Sequence, residues 1–207
     1  MESGSARVLK NVKKGITPDT IVRSAHLAGQ AGMEMTQFII LGLGGRELTR
    51  DHAIETARIL NEINPGDIRL LTIGVKSDSG LGRQMAAGRF TLPSEAEIIA
   101  EQRLLLENLE GIESHYANHH SVDLLLEVRG QLPQDKAGLL AILDRFLGLD
   151  PKDQTNFTLG RRLGYYQRLS DMDNALAYDF VERQAQKIRD RGESFEEIFH
   201  RLPKQVI

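Results

Sequence analysis

An apolar run that ends in a cluster of glycines limits the fold of this chain more than any other sequence feature. Residues 38–41 (FIIL) are continuously apolar, which is typical of a strand buried on both faces of a parallel sheet. Residues 42–45 (GLGG) follow as a turn, and residues 48–62 carry the apolar periodicity of a helix. A buried strand that leads directly into a helix is half of a βαβ unit, so the sequence predicts an α/β protein.

The same alternation extends to both sides of this unit. The predicted strands number about three, far fewer than the eight that a closed barrel builds from about 250 residues. The sheet is therefore predicted either to be small and open or to lack strands at its front. Residues 1–150 form the predicted α/β part, and residues 151–207, which show no strand pattern, form a helical C-terminal extension. Strands are predicted at 35–41, 68–75 and 112–117, and helices at 6–14, from 17 onward, and at 48–62, 81–87, 94–109 and 134–147.

Composition narrows the classes of function. The net charge of −3 provides no general attraction for nucleic acid. No apolar run approaches the roughly 20 residues that a membrane span needs, and a cytoplasmic location is expected. The chain has no cysteine, so it supplies neither thiolate nucleophiles nor cysteine ligands for an iron–sulfur cluster. Its six His residues do not form a helical metal motif such as H-E-x-x-H.

Two glycine-containing segments are candidate ligand-binding loops. Residues 2–5 (ESGS) precede the first predicted helix, where backbone N–H groups and hydroxyls can bind a polar ligand. Their alternative role is structural, with Ser5 as the helix N-cap, which N-cap preferences favour. Residues 42–45 lie at the carboxyl end of a strand, where α/β folds bind ligands. They match neither G-x-G-x-x-G nor a P-loop, so a tight turn explains them equally well.

Two polar pairs in the second half of the chain also have two interpretations. His119 and His120 can act as acid–base groups or ligands, although a polar loop cluster accounts for them more simply. Arg161 and Arg162 can bind phosphate or carboxylate, whereas a solvated helix face is the more common explanation for such a pair.

Three segments, taken in order, resemble the radical S-adenosylmethionine (radical SAM) enzymes. Residues 2–17 are similar to a strand end, G-x-E/Q-S-G-S, that leads into a helix x-x-V-L-K-x-x-x-K/R-G. Residues 40–45 (ILGLGG) resemble the next strand of that family, I-I-G-L-P-G, and the loop after residue 75 resembles its P-x-x-G-T-P-L segment. The resemblance covers residues 2–150 and is closest to uncharacterised members related to the oxygen-independent coproporphyrinogen oxidases.

The resemblance implies a fold, two cofactors and a set of binding residues. The fold would be the rear portion of an open (β/α)₆ barrel. In the family, a Cys-x₃-Cys-x₂-Cys loop holds a [4Fe–4S] cluster that reduces SAM to a 5′-deoxyadenosyl radical. On matching positions Glu2 and Ser3 would face the ribose and methionine end of SAM, and Lys14 would pair with its carboxylate. Ile40 and Gly42 would flank the adenine.

Further expectations concern the substrate and the catalytic role of the chain. Substrate contacts are expected from His119, His120 and the extension 151–207. Because the cysteine loop and about three front β/α units of such a barrel are absent, the expected role is that of the C-terminal fragment of a radical SAM Fe–S oxidoreductase, inactive by itself, with neither catalytic residues nor metal ligands. Gly44-Gly45-Arg46-Glu47 stands where the family has P-G-E/Q, so no role is carried over to Glu47.

Other functions remain open. The absence of cysteine and the helical extension also fit a non-enzymatic α/β module that binds a nucleotide or a protein. A hydrolase ranks last, because the chain has no G-x-S-x-G nucleophile elbow. A sheet without its front strands would expose an edge around residues 36–41, and such edges pair with other chains. The sequence therefore predicts a homodimer or a swapped element at this edge.

Overall fold

A computed structural model describes residues 1–201, with side chains through residue 199. It contains a mixed four-stranded sheet in the order β1-β2-β3-β4, mostly parallel and open, with helices beside it. The α/β prediction is confirmed, and the architecture is compatible with a partial α/β barrel. The strands are β1 (Thr36–Leu41), β2 (Asp67–Thr72), β3 (His115–Asn118) and β4 (Arg129–Gln131).

Helices precede β1, connect the strands and make up the C-terminal part. Side-chain caps begin two of these helices: Thr17 accepts a hydrogen bond from the N–H of Thr20, with Pro18 as the first helical residue, and Ser94 forms a capping box with Glu97. The α-helices are α1 (Ala6–Asn11), α2 (Pro18–Gln30), α3 (Gly45–Ile63), α4 (Gly80–Ala86), α5 (Glu95–Glu107), α6 (Lys136–Leu147), α7 (Pro151–Arg162), α8 (Ala175–Asp190) and α9 (Phe195–Arg201), with a 3₁₀ helix at Leu169–Asp173.

The sheet differs from the prediction at its second edge. β1, β2 and β3 are parallel, but β4 runs antiparallel to β3 and was not predicted. β4 has only three residues and no apolar alternation, so it leaves no periodic signal. The third strand begins at His115 and not at Ile112, because Ile112 is buried in the loop that precedes the strand. β2 ends at Thr72, earlier than predicted.

The two faces of the sheet have different environments. One face packs under the helices and is fully buried. The opposite face is open, so the predicted burial of residues 38–41 on both faces was wrong, and Phe38 on this face is 41 % exposed. Because side chains alternate along a strand, the parallel register aligns the open-face residues in rows across the strands. The residues of the covered face are Ile39, Leu41, Ile68, Leu70 and Tyr116, each at most 2 % exposed.

The C-terminal extension shares its apolar core with the α/β part. The ring centroids of Phe146 and Phe157 lie 5.9 Å apart, and those of Phe157 and Tyr166 lie 6.0 Å apart. Residues 151–201 contain helices and no strand, as predicted, while residues 202–207 of the predicted extension lie outside the described residues. Within residues 1–201, no helix has the length and apolarity required to cross a bilayer.

Candidate functional site

The N-terminal loop lies along the outer edge of β1. The N–H of Ile40 donates to the carbonyl of Glu2 at 3.1 Å, and the amino group of Met1 donates to Oε1 of Gln37 at 2.7 Å. Glu2 therefore occupies the position beside Ile40 that a neighbouring strand would take. This contact also brings two predicted site residues together, although they are 38 positions apart in the chain.

Glu2 and Lys14 form an accessible ion pair. Lys14 Nζ donates to Glu2 Oε1 at 2.6 Å, and the two side chains are 37 % and 30 % exposed. After α1 the chain reverses at Lys13, which has a φ of 57°, and the N–H of Lys14 bonds to the carbonyl of Leu9. An exposed pair contributes about 0–1 kcal/mol, so a charged ligand can replace either partner at little cost.

Ser3 and Ser5 connect the loop to α3. Ser5 caps α1, accepting from the N–H of Val8 at 3.2 Å, and its hydroxyl donates to Asp51. The N-cap interpretation is thus confirmed. Ser3 is fully buried, and its hydroxyl accepts from the N–H of Ser5 at 3.0 Å and contacts His52 Nδ1 at 3.2 Å. Its hydroxyl is directed into the protein, whereas the carboxylate of the adjacent Glu2 is accessible.

Protein atoms fill the space that would be needed by a side chain at Gly4 and Gly42. A Cβ on Gly4 would lie 2.4 Å from the carbonyl oxygen of Glu55, so the loop can approach α3 only with glycine at this position. Gly42 has a φ of +80°, and a Cβ on it would lie 2.8 Å from a methyl group of Ile73. Gly42 therefore serves as the left-handed residue of a tight turn.

His52 on α3 holds the N-terminal loop and β1 together as a neutral imidazole. Its Nε2 lies 2.9 Å from the carbonyl oxygen of Ile40, which can only accept, so Nε2 carries the proton. Nδ1 can then accept from the hydroxyl of Ser3 or Thr56, each at 3.2 Å. Burial lowers the pKa of His52 to about 4, although the nearby Asp51 carboxylate acts in the opposite direction.

Glu101 on α5 binds the backbone of the glycine turn at Gly42. Its Oε1 accepts from the N–H of Gly42 at 2.7 Å and lies 3.8 Å from Nε2 of His52. Its Oε2 is buried without a hydrogen-bond partner among the described residues. Burial raises the pKa of Glu101 to about 8, against the opposing effect of the Gly42 N–H. Glu101 and His52 are therefore both uncharged near neutral pH.

An apolar cleft opens at the carboxyl ends of β1 and β2. Its volume is about 530 Å³, and its lining residues include Ile40 and His120, both predicted site residues. This is the edge at which α/β sheets bind ligands. The other lining residues are Leu43, Leu71, Thr72, Ile73, Gly74, Val75, Lys76 and Leu81.

The two adjacent histidines have different surroundings, as expected for neighbours at a strand end. His119 is exposed, with Nε2 3.4 Å from a guanidinium nitrogen of Arg69. The N–H of His120 donates to Oδ2 of Asp123 at 2.8 Å, and Oδ1 of Asp123 accepts from the hydroxyl of Thr72 at 2.8 Å. Asp123 thus fixes the loop that carries His120 against the end of β2.

Arg161 and Arg162 do not lie on a solvated face, and their guanidinium groups bind partners within the protein. Arg161 is 8 % exposed and donates to the carbonyls of Leu124 at 2.9 Å and Asp123 at 3.1 Å. Arg162 donates to the carbonyl of Val122 and to the Glu95 carboxylate. The interpretation of this pair as a solvated helix face was wrong because their partners, the backbone carbonyls of the loop after β3, become neighbours only in the folded chain.

His52 and Glu101 are the functional candidates that the sequence analysis missed. Both occupy positions where a helix repeats its apolar face: His52 lies four residues after buried Leu48, and Glu101 lies between buried Ile98 and Leu105. A titratable residue at a core position of an amphipathic helix is a detectable signal for a buried polar site.

Among the side chains that the structure describes, those of residues 1–199, no group of three or more His, Cys, Asp or Glu could hold a metal ion. No family model matches the chain, and comparisons with curated proteins and with solved structures gave no match.

Proposed function

We propose that this chain is the C-terminal part of the barrel of a radical SAM enzyme and that it supplies one wall of the SAM site. The observation that carries the proposal is the contact between Glu2, Lys14 and Ile40, three positions named by the family motif and distant in sequence. Lys14 pairs with Glu2 at 2.6 Å, and the carbonyl of Glu2 accepts from Ile40 at 3.1 Å. Motif positions that meet at the carboxyl edge of a parallel sheet favour one ligand site over three unrelated features.

The charges of this wall fit the amino-acid end of SAM. That end carries an ammonium and a carboxylate, which Glu2 and Lys14 respectively complement. The Glu2 and Lys14 side chains are each about one-third exposed. When a zwitterion binds, Glu2 can pair with its ammonium and Lys14 with its carboxylate, so each side chain keeps an oppositely charged partner. Lys14 would bind the carboxylate as a point charge, since an ammonium has no bidentate fork.

The apolar cleft fits the adenine end. Ile40, Leu71 and Ile73 line it with aliphatic groups. Burial of an aromatic ring against such apolar surfaces is favourable. Gly42 would act through the shape of the turn, because its φ of +80° and its bond to Glu101 set the exit of the chain from β1. Ser3 would hold Glu2 in position through its bond to Ser5 and its contact with His52.

The iron–sulfur cluster of the family has no ligands in this chain. With zero cysteine, the thiolates would have to be supplied from outside these 207 residues. When SAM and cluster are both bound, they supply the radical chemistry of the family. The role of this chain is limited to binding and orienting SAM, and by itself it would be inactive.

Calorimetric titration of the 207-residue chain with SAM tests the proposal. We expect 1:1 binding, and we expect Lys14→Gln to weaken it by about tenfold, as for the loss of one charge-assisted hydrogen bond. Lys10→Gln, an exposed lysine on α1 without an assigned role, is the matched control and should leave the affinity unchanged. Glu2→Gln should also weaken SAM binding, because it removes the carboxylate that complements the ammonium of SAM while Lys14 is retained.

Two results would overturn the assignment of the site. One is the absence of SAM binding, which would favour the alternative of a non-enzymatic module. The other is binding that is insensitive to both Lys14→Gln and Glu2→Gln. Melting temperatures of the variants separate a loss of the site from a loss of the fold, and small changes are expected because the pair is exposed.

A further inference from the structure

The open face of the sheet carries its polar residues in an ordered series of rows. The register places Phe38 of β1 beside Arg69 of β2, which is beside Ala117 of β3. One row further toward the carboxyl ends, Ile40 lies beside Leu71. The N–H of His119 continues the ladder by donating to Leu70 at 3.2 Å, so His119 extends this second row.

Arg69 is held in place but has no acidic partner. Its guanidinium lies over the Phe38 ring, 6.0 Å from the centroid, and contacts Nε2 of His119 at 3.4 Å. Asp67, two residues earlier on the same face, pairs with His115 at 3.3 Å. Among the residues whose side chains are described, the acidic groups nearest in the sheet have other partners, and Arg69 forms no ion pair with Asp67, which pairs with His115.

This arrangement presents hydrogen-bond donors to the open face. Arginine has donors only, so Nε2 of His119 must accept and Nδ1 must carry the proton. The guanidinium, which lies over the Phe38 ring, and the Nδ1–H together offer donors, with the positive charge of Arg69, beside the apolar row Ile40–Leu71. A planar guanidinium held on an aromatic ring is suited to bidentate binding of a carboxylate.

We propose that Arg69 and His119 bind the carboxylate of an organic ligand whose apolar part lies on the open face beside Phe38, next to the cleft that is assigned to the adenine of SAM. The occupant follows from charge complementarity at Arg69 and from the exposed Phe38 ring on the same face. The interpretation of this site as a substrate site rests on the proposed function. In a partial barrel, the open face of the sheet faces the interior of the barrel, where a substrate would bind. It names the substrate class as a carboxylate.

Binding of a simple carboxylate to the 207-residue chain can be measured without SAM, so the two proposals can fail separately. The probe is benzoate, and the readouts are the NMR signals of the Arg69 side-chain Nε–H and of the His119 ring. We expect saturable shifts of both signals with benzoate, weaker binding of acetate, and no saturable shift with neutral benzamide. Inorganic phosphate separates a carboxylate site from a general anion site.

Arg69→Gln should weaken benzoate binding by about tenfold or more, as expected for a charge-assisted bidentate pair. Because Arg69 is absent in that variant, its affinity is read from the His119 signal. Arg58→Gln, on the exposed face of α3 where Arg58 pairs with Glu55 at 3.0 Å, is the matched control and should bind benzoate like the wild type. The proposal is overturned if neither signal saturates with benzoate, if phosphate binds more tightly than benzoate, or if folded Arg69→Gln retains wild-type affinity.

Discussion

Nε2 of His52 lies 3.8 Å from Oε1 of Glu101, and both side chains are 1 % exposed. Burial lowers the pKa of His52 to about 4 and raises that of Glu101 to about 8. The two groups are therefore neutral near pH 7, and they join α3, α5 and the turn at Gly42 through hydrogen bonds to backbone atoms. The candidate site thus rests on a buried polar support whose charge state depends on pH.

Glu101→Gln is expected to make the protein less sensitive to alkaline pH. Because the pKa of Glu101 rises from 4.5 to about 8 on folding, the folded state keeps a proton that the unfolded chain releases. The proton on Glu101 stabilises the folded state by on the order of a few kcal/mol. This stabilisation is complete below pH 4.5 and is lost as the pH rises to about 8. Urea denaturation of both proteins at pH 5 and pH 8.5 measures this loss, and an identical pH dependence in the variant would contradict the assignment.

His52→Gln is expected to change how the free energy of unfolding depends on pH below pH 6.5. The pKa of His52 falls from 6.5 to about 4 on folding, so its contribution is present above pH 6.5 and is lost as the pH falls through 4. The variant keeps a side-chain donor for the Ile40 carbonyl, but it has no imidazole at this position whose protonation at acid pH favours the unfolded chain. The difference in unfolding free energy between wild type and variant should shrink from pH 7 to pH 4. Exposed His26→Gln is the control, and a constant difference for His52→Gln would argue against a neutral buried imidazole.

Gly4→Ala is expected to destabilise the protein by about 1–3 kcal/mol, the usual cost of overpacking. The added Cβ would lie 2.4 Å from the Glu55 carbonyl oxygen and 2.7 Å from Cα of Thr56, both in the backbone of α3. Gly29→Ala in α2 meets no atom within 4 Å and should instead stabilise by about 0.5–1 kcal/mol. Thermal unfolding compares the two, and equal effects would refute the close approach of the loop to α3.

Arg161→Gln is expected to loosen the loop that carries His120. Arg161 bonds to the carbonyls of Asp123, Leu124 and Tyr166, which are left without this donor in the variant. Each such loss costs about 1–3 kcal/mol when the group stays buried. Hydrogen exchange should accelerate over residues 120–125. Arg145→Gln, which removes an exposed ion pair with Asp173, should leave that exchange unchanged, and unaltered protection in Arg161→Gln would contradict the docking role.

The outer edge of β1 remains the predicted dimer contact. The Ile40 N–H bonds to Glu2, which covers the carboxyl end of the edge, while Phe38 is exposed on the adjacent open face. We expect the isolated 207-residue chain to dimerise through this edge. Light scattering over a range of concentrations measures the mass, and a monomer at every concentration would refute the prediction.

Local signals predicted the local structure well and the site only in part. The N-cap Ser5 and the apolar run 38–41 act within a few residues, so α1 and β1 were predicted as elements, whereas the predicted burial of β1 on both faces was wrong. β4 was missed because it pairs with β3 through its backbone and needs no apolar pattern. The contact between His52 and Glu101 spans 49 positions, and no periodicity reports which buried polar residues will meet.

The coding sequence upstream of Met1 decides whether this chain is part of a radical SAM barrel. We expect the reading frame to continue upstream and to encode Cys-x₃-Cys-x₂-Cys within about 150 residues, roughly the length of one domain. The strand that carries the family motif should end immediately before Glu2. A reading frame that begins at Met1, or an upstream segment of that length without the cysteine motif, would contradict the proposal that this chain is part of a radical SAM barrel.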